Sequence, residues 1–270
     1  RSTLFPYTTL FRSGRRNKIG NACAELAAVM EELLAENGCP WDREQTHISL
    51  IRYLLEETYE VIEAVNLQDP QALKSELGDL LLQIVFHSAL SSHEGDFDLA
   101  DVADSARQKM IDRHPHVFGS LELKTSKQVM ERWEDFKKQA GRQQLLSGIP
   151  KELPALLRAL KLQEKASWVG FDWPDKAGAA AKFEEEKAEM EAADSPENHL
   201  EEWGDMFFAL SNWARLANID PEQALQRSND KFVRRFNYLE QQVQGSGRTW
   251  SDFTLAELNA LWEAAKKAGL

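Results

Sequence analysis

The sequence predicts an all-α fold built from two tandem helical-bundle units. Apolar residues recur at helical spacing from Ile19 onward, and no segment shows a convincing alternating strand pattern. Three helix starts are marked by a capping side chain followed by proline at the first helical position. These starts are Asp69-Pro70, Ser195-Pro196 and Asp220-Pro221. About ten helices of ordinary length account for the chain.

Further helix boundaries follow from local signals along the chain. Thr254 and Glu257 have the spacing of a capping box, which predicts a last helix from this point. Turn-forming residues cluster at four breaks between apolar segments. The breaks lie at 37–42 (NGCPWD), 95–98, 170–175 (GFDWPD) and 245–247.

Composition excludes several classes of function. The 270 residues carry a net charge of −12, so binding to a nucleic-acid backbone is not expected, because Lys and Arg supply that affinity. A small anionic substrate would therefore need bridging metal ions. The two cysteines, Cys23 and Cys39, cannot form a disulfide framework and favour a cytoplasmic location. No segment approaches the ~20 apolar residues of a membrane span, so no membrane partner is expected.

The first 24 residues differ from the rest of the chain in their charge. Residues 1–24 are basic and contain no acidic residue, which imitates an organellar transit peptide. Residues 3–13 (TLFPYTTLFRS) instead resemble the translation of a sequencing adapter. We therefore interpret residues 1–18 as a non-native leader and exclude them from the fold.

An internal repeat divides the remaining chain. One copy reads CPWD, EETYE, DP and ELGD, and the other reads GFDW, EEKAE, SP and EWGD. Each copy continues into a Lys-x-x-x-Arg pair, Lys109 with Arg113 and Lys231 with Arg235. The repeat predicts an N-terminal domain over 19–124, connecting helices over 125–165 and a C-terminal domain over 166–270.

Each copy places four carboxylates on two successive helices. Residues three apart share a helix face, and the Pro-marked connection turns the chain back, so the four side chains can converge. The first quartet is Glu57, Glu60, Glu76 and Asp79, and the second quartet is Glu186, Glu189, Glu202 and Asp205.

Four converging carboxylates repel one another unless they are protonated or bind cations. The all-oxygen donor set favours Mg²⁺, with Mn²⁺ possible, over softer metals. A di-iron site is disfavoured because Glu-x-x-His spacing occurs only at Glu44 and His47. Exposed helix charge is the alternative, but the apolar run that follows Asp205 argues against it. Metal-assisted attack of water at phosphorus follows, with Lys231 and Arg235 neutralising the developing charge.

The ordered motifs CPWD, EETYE, ELGD, RHPHVF, VGFDW, EEKAE, EWGD and NDKFVRRF closely resemble the MazG family over about residues 37–266. The resemblance implies an all-α enzyme that hydrolyses NTPs and dNTPs to the monophosphate and pyrophosphate. It implies Mg²⁺ on the second quartet and a homodimer, which the apolar runs 80–86 and 206–213 independently fit. Trp203 within EWGD puts pocket shape and base preference in question. Catalysis is assigned to Glu186, Glu189, Lys231 and Arg235, and nucleotide contact to Lys231, Arg235, Trp262 and Lys266.

Two alternatives stay open at this point. One is a narrow dUTP or phosphoribosyl-ATP pyrophosphohydrolase, although the duplication argues against it. The other is a helical dimerisation or regulatory module whose carboxylates bind structural cations. Within the favoured hypothesis, we expect the C-terminal copy to be catalytic, because it alone carries the last helix with Trp262 and Lys266.

Overall fold

The computed structural model describes residues 13–123, 125, 128–129 and 144–270. It divides into two compact units, Arg1–Lys137 and Lys138–Leu270. The described residues form helices without any strand, which confirms the all-α prediction. Most of the predicted leader, residues 1–12, lies outside the described residues, as does most of the segment 130–143 within the predicted connection.

Six helices lie in the part of the first unit that the structure describes over residues 13–123. A long helix, α1, is followed by a single turn, α2, and by the paired helices α3 and α4, with α5 and a further turn, α6, after them. Their bounds are Ser13–Leu34, Pro40–Arg43, His47–Leu67, Pro70–Glu94, Leu99–Asp112 and Pro115–Phe118. Residues 13–18, assigned to the leader from sequence, form the first turns of α1.

The core of the first unit lies where α1 and α3 pack on α4. Met30 from α1, Leu50 from α3 and Val85 from α4 are almost completely buried. Burial of such side chains stabilises by about 1.5–3 kcal/mol each. The core therefore sets α3 firmly against α4, the two helices that carry the first quartet.

Over residues 144–270, the described part of the second unit, there are five α-helices and one 3-10 turn. The helix α7 precedes the paired helices α8 and α9, and α10 and α11 follow, separated by the turn Trp250–Asp252. The α-helices span Ala155–Ser167, Lys176–Ala192, Pro196–Leu216, Pro221–Gly245 and Leu255–Lys267. Sequence analysis counts α7 among the connecting helices; in the structure it packs on α9 and α10 within this unit.

The predicted helix starts are confirmed at all four capping residues. The side chain of Asp69 accepts hydrogen bonds from two backbone N–H groups of α4. The side chains of Ser195 and Asp220 each accept from one backbone N–H group, at the starts of α9 and α10. Thr254 forms the predicted capping box with Glu257 at the start of α11. These caps satisfy N–H groups that a helix start leaves without partners.

The loop before α8 is anchored by Trp173. A Cβ added at Gly178 would lie only 2.7 Å from the Trp173 ring, so the indole packs directly on the first turn of α8. Trp41 in the first unit makes an edge contact with Tyr53 at 5.8 Å between ring centroids. In each unit, a tryptophan therefore anchors a connection on a neighbouring helix. No helix in the described part of the chain is long and apolar enough to cross a bilayer.

Candidate metal and nucleotide site

The first quartet lies midway along the α3–α4 pair. Glu57, Glu76 and Asp79 each offer a carboxylate oxygen, and these oxygens all lie within 4.8 Å of one another. Glu57 stands ten residues before the end of α3, and Asp79 stands nine residues after the start of α4. Because the two helices are joined by a short turn, these positions come level with each other.

Two carboxyl groups of the first quartet have raised pKa values, because they are desolvated and lie close to other carboxylates. Desolvation, followed by the charge of Asp79, raises the pKa of Glu57. Desolvation, followed by the charge of Glu60, raises the pKa of Glu76. Glu60 is exposed and lies outside the group of three, but its influence on Glu76 places it beside them.

The second quartet has a similar arrangement on the α8–α9 pair. Carboxylate oxygens of Glu186, Glu189 and Glu202 lie within 4.8 Å of one another. Glu186 is buried, with 7% of its surface exposed. Desolvation, followed by the charges of Glu189 and Asp205, raises the pKa of Glu202. Asp205 thus acts on the group electrostatically, although its oxygens lie outside the group of three.

A lysine that sequence analysis did not single out lies at the second quartet. The ammonium of Lys182 lies 2.8 Å from Glu186 Oε1 and 2.7 Å from Glu185 Oε1. These bonds, led by the one to Glu185, raise the pKa of Lys182. Its position four residues before Glu186 on one helix was a usable signal, since residues at this spacing face each other.

The predicted nucleotide-contacting residues lie on α10 and α11. The guanidinium of Arg235 lies 5.6 Å from the centre of the Trp262 ring, and its Nε donates to the Leu270 carbonyl at 2.8 Å. Lys266 pairs with Glu263 at 2.6 Å, and Lys231 is exposed on α10. The structure therefore brings Arg235 and Trp262 together. Among the described residues, no hydrogen bond or ion pair joins any of these four residues to the second quartet.

An aromatic ladder extends this face of α10. Phe232 lies 5.2 Å from Trp262 between ring centroids, and Phe236 stacks on Trp250 at 5.3 Å with an angle of 7°. Phe232 and Phe236 also stack on each other at 5.9 Å. Sequence analysis missed Phe232, Phe236 and Trp250, although the four-residue spacing of the two phenylalanines puts them on one face.

A second polar cluster lies away from the first quartet. His47 Nδ1 and His87 Nδ1 are 2.7 Å apart, with the imidazole rings stacked. Ser91 Oγ lies 3.3 Å from His47 Nε2. These residues join the start of α3 to the C-terminal part of α4. His114, by contrast, contacts the Met110 carbonyl at 2.6 Å at the end of α5.

Comparison with known proteins gives the family. Residues 45–118 match the MazG nucleotide pyrophosphohydrolase domain. The chain is 42% identical over 245 residues to the nucleoside triphosphate pyrophosphohydrolase/pyrophosphatase MazG of Thermotoga maritima, covering 90% of this chain and 94% of that protein. It belongs to the MazG family.

Other relatives support the same assignment. The nucleoside triphosphate pyrophosphohydrolase of Escherichia coli K12 is 38% identical over 257 residues, which cover 92% of this chain and 98% of that protein. YabN of Bacillus subtilis 168, which carries no functional name, is 42% identical over 247 residues, covering 89% of this chain and 50% of that protein. The MazG domain match itself includes the first quartet.

Proposed function

We propose that this MazG protein is a Mg²⁺-dependent enzyme that hydrolyses a broad range of NTPs and dNTPs. Its family and its near-full-length relatives identify it as a nucleoside triphosphate pyrophosphohydrolase. The reaction yields a nucleoside monophosphate and pyrophosphate. We assign the chemistry to the second quartet and the nucleotide to the face formed by α10 and α11.

The observation that carries the metal assignment is the convergence of Glu186, Glu189 and Glu202 within 4.8 Å. The donor set fits Mg²⁺ or Mn²⁺, because every donor is a carboxylate oxygen. Desolvation, followed by the neighbouring carboxylates, raises the pKa of Glu202, and a hard cation offsets both effects. The first quartet has the same chemistry and fits a second metal site.

The second quartet and the residues of α10 and α11 have different roles in the proposed hydrolysis. The three converging carboxylates and Asp205 would hold the cation, and a bound cation would neutralise phosphate oxygens and make water a better nucleophile. Glu189 is exposed to solvent, and we assign to it the removal of a proton from the attacking water. Lys231 and Arg235 bring positive charge to the phosphates. Trp262, held by the Arg235 contact, offers a flat surface to the base.

A broad substrate range fits a site whose base contact is aromatic stacking. Every base has a π-face, so stacking discriminates weakly between bases, whereas polar contacts to base edges discriminate strongly. The exposed ladder around Trp262 supplies such surfaces. A broad range suits a housecleaning or stress-linked role in the cytoplasm.

The apolar faces of the paired helices support a homodimer. Leu81 and Ile84 on α4, and Phe207 and Leu210 on α9, are each between 38% and 48% exposed in the single chain. Exposed apolar surface of this extent on long helices indicates an interaction face. Light scattering should give the mass of two chains; the mass of one chain would refute the dimer.

The central test incubates the protein with each of the eight common NTPs and dNTPs, in Mg²⁺, Mn²⁺ or chelator, and separates the products. We expect the monophosphate and pyrophosphate from most substrates, and no turnover with chelator. Glu186→Gln should abolish turnover, whereas Glu184→Gln, exposed on the same helix, should retain it. Nucleoside diphosphate with orthophosphate would reject the reaction, and full activity with chelator would reject the metal. Turnover of one substrate alone would favour a narrow enzyme.

A further inference from the structure

Lys182 makes the second quartet electrostatically different from the first. Its ammonium forms an ion pair with Glu186, a buried member of the converging group. The residue four positions before Glu57, which matches Glu186 in the first quartet, is the uncharged Tyr53. Among the described ion pairs, none involves a member of the first quartet.

An ammonium and a divalent cation compete for the same carboxylate. When the Lys182 ammonium lies 2.8 Å from Glu186 Oε1, it neutralises part of the charge that attracts a metal. Glu185 accepts from the same ammonium at 2.7 Å, so Lys182 has a second partner when Glu186 turns towards a cation. The bond to Glu185 would therefore keep Lys182 paired after Glu186 is released.

We propose that Lys182 is a positioning residue that holds Glu186 as an internal counter-ion and must release it when a divalent cation binds. The ion pair lowers the intrinsic affinity of the second quartet for metal. Metal binding there is consequently weaker than it would be in a quartet without a lysine. This inference rests on the proposed metal-binding role of the second quartet.

The test measures Mn²⁺ binding by calorimetry and by electron paramagnetic resonance, without nucleotide. All proteins are full-length and carry Glu57→Gln and Asp79→Asn, so that the second quartet dominates binding. Lys182→Met should bind Mn²⁺ about fivefold more tightly than the parent, a factor near the upper range for a partly exposed ion pair. Lys182→Arg keeps the pairing charge and should bind like the parent.

Lys187→Met is the matched control. Lys187 lies on the same helix, but its ion-pair partner is Glu184, at 3.9 Å, outside the quartet. Lys187→Met should change the Mn²⁺ affinity much less than Lys182→Met does. Circular dichroism should show that all variants are folded.

Unchanged or weaker Mn²⁺ binding in a folded Lys182→Met protein would overturn the inference and leave the proposed function intact. Equal tightening by Lys182→Arg would also overturn it. Absence of Mn²⁺ binding to the parent would refute both this inference and the assignment of metal to the second quartet.

Discussion

At the residue scale, Glu202 is a carboxyl group of the site whose ionisation destabilises the folded protein. Desolvation and the surrounding carboxylates raise its pKa above that of an unfolded chain. A carboxyl group with a raised pKa in the folded state destabilises that state when ionised, and the penalty is relieved as pH falls through the raised pKa. A bound cation should relieve it at neutral pH.

We therefore predict that Glu202→Gln raises the melting temperature in chelator at neutral pH and lowers kcat by at least about 10²-fold. The amide removes the repulsion but provides a poorer metal ligand. Thermal scans with and without Mg²⁺, together with steady-state kinetics, provide the measurement. Glu184→Gln should change neither quantity appreciably, and a lower melting temperature for Glu202→Gln in chelator would contradict the account.

At the scale of elements, α11 depends on its first turn to present Trp262. Thr254 accepts a hydrogen bond from the Glu257 backbone, and the Glu257 carboxylate accepts from the Thr254 backbone at 2.7 Å. Arg248 pairs with Glu257 at 3.0 Å. These contacts, led by the Arg248 bond, lower the pKa of Glu257 to about 2, so their contribution to stability persists until the pH falls through that value.

Thr254→Ala should destabilise α11 by about 1 kcal/mol, the usual cost of losing an N-cap side chain. Hydrogen exchange of the α11 amides should accelerate accordingly, and KM for the nucleotide should rise because Trp262 is less well ordered. Thr254→Ser retains the hydroxyl and should behave like the parent. Unchanged exchange in Thr254→Ala would show that packing on α10 alone holds α11.

The His47–His87 pair couples α3 to α4 in a manner that depends on pH. One Nδ1 must donate and the other accept, so two protonated rings cannot form this bond. Desolvation, followed by the charge of His47, lowers the pKa of His87 from its ordinary value of 6.5. A histidine with a lowered pKa supports the fold above its ordinary pKa, and this support is lost as pH falls through the folded-state value.

Acidification from about pH 7 to about pH 5 should therefore loosen the start of α3. Hydrogen exchange in peptides covering residues 47–54 and 83–91, corrected for the intrinsic pH dependence, measures the effect. His87→Gln should flatten this pH dependence. His93→Gln is the control, because His93 is exposed on the same helix and pairs with Glu31. If the pH dependence of hydrogen exchange is the same in His87→Gln, other titratable groups cause it.

At the scale of the whole molecule, two similar quartets raise the question of which unit catalyses. The MazG domain match, over residues 45–118, lies within the first unit, whereas Arg235 and Trp262 belong to the second. The last helix, α11, packs on α10. In the first unit, the helix after the paired helices ends at Asp112 and is followed by the short turn Pro115–Phe118.

We predict that Glu189→Ala or Asp205→Ala abolishes hydrolysis, whereas Glu60→Ala or Asp79→Ala leaves much of it and chiefly affects assembly or stability. Loss of a metal ligand should cost orders of magnitude in rate, because transition-state stabilisation is lost with it. Steady-state kinetics on variants first checked by light scattering give the answer. Inactivity of Glu60→Ala, together with activity of Glu189→Ala, would reverse the assignment.

Features determined by neighbours along the chain could be predicted from sequence. The caps at Asp69, Ser195, Asp220 and Thr254 act within one helical turn, so their residue types and spacing sufficed to place four helix starts. The pairs of carboxylates three residues apart also needed only helical geometry. The all-α fold follows from the same local periodicity.

Only the tertiary structure decided which side chains meet. The convergence of three carboxylates in each quartet depends on how two helices pack, and packing is determined by the whole core rather than by spacing. His47 and His87 are 40 residues apart, and Arg235 reaches Leu270 across 35 residues. The spacing of Lys182 and Glu186 allowed an ion pair, but the burial of Glu186, which makes an unpaired charge there costly, is a property of the folded chain.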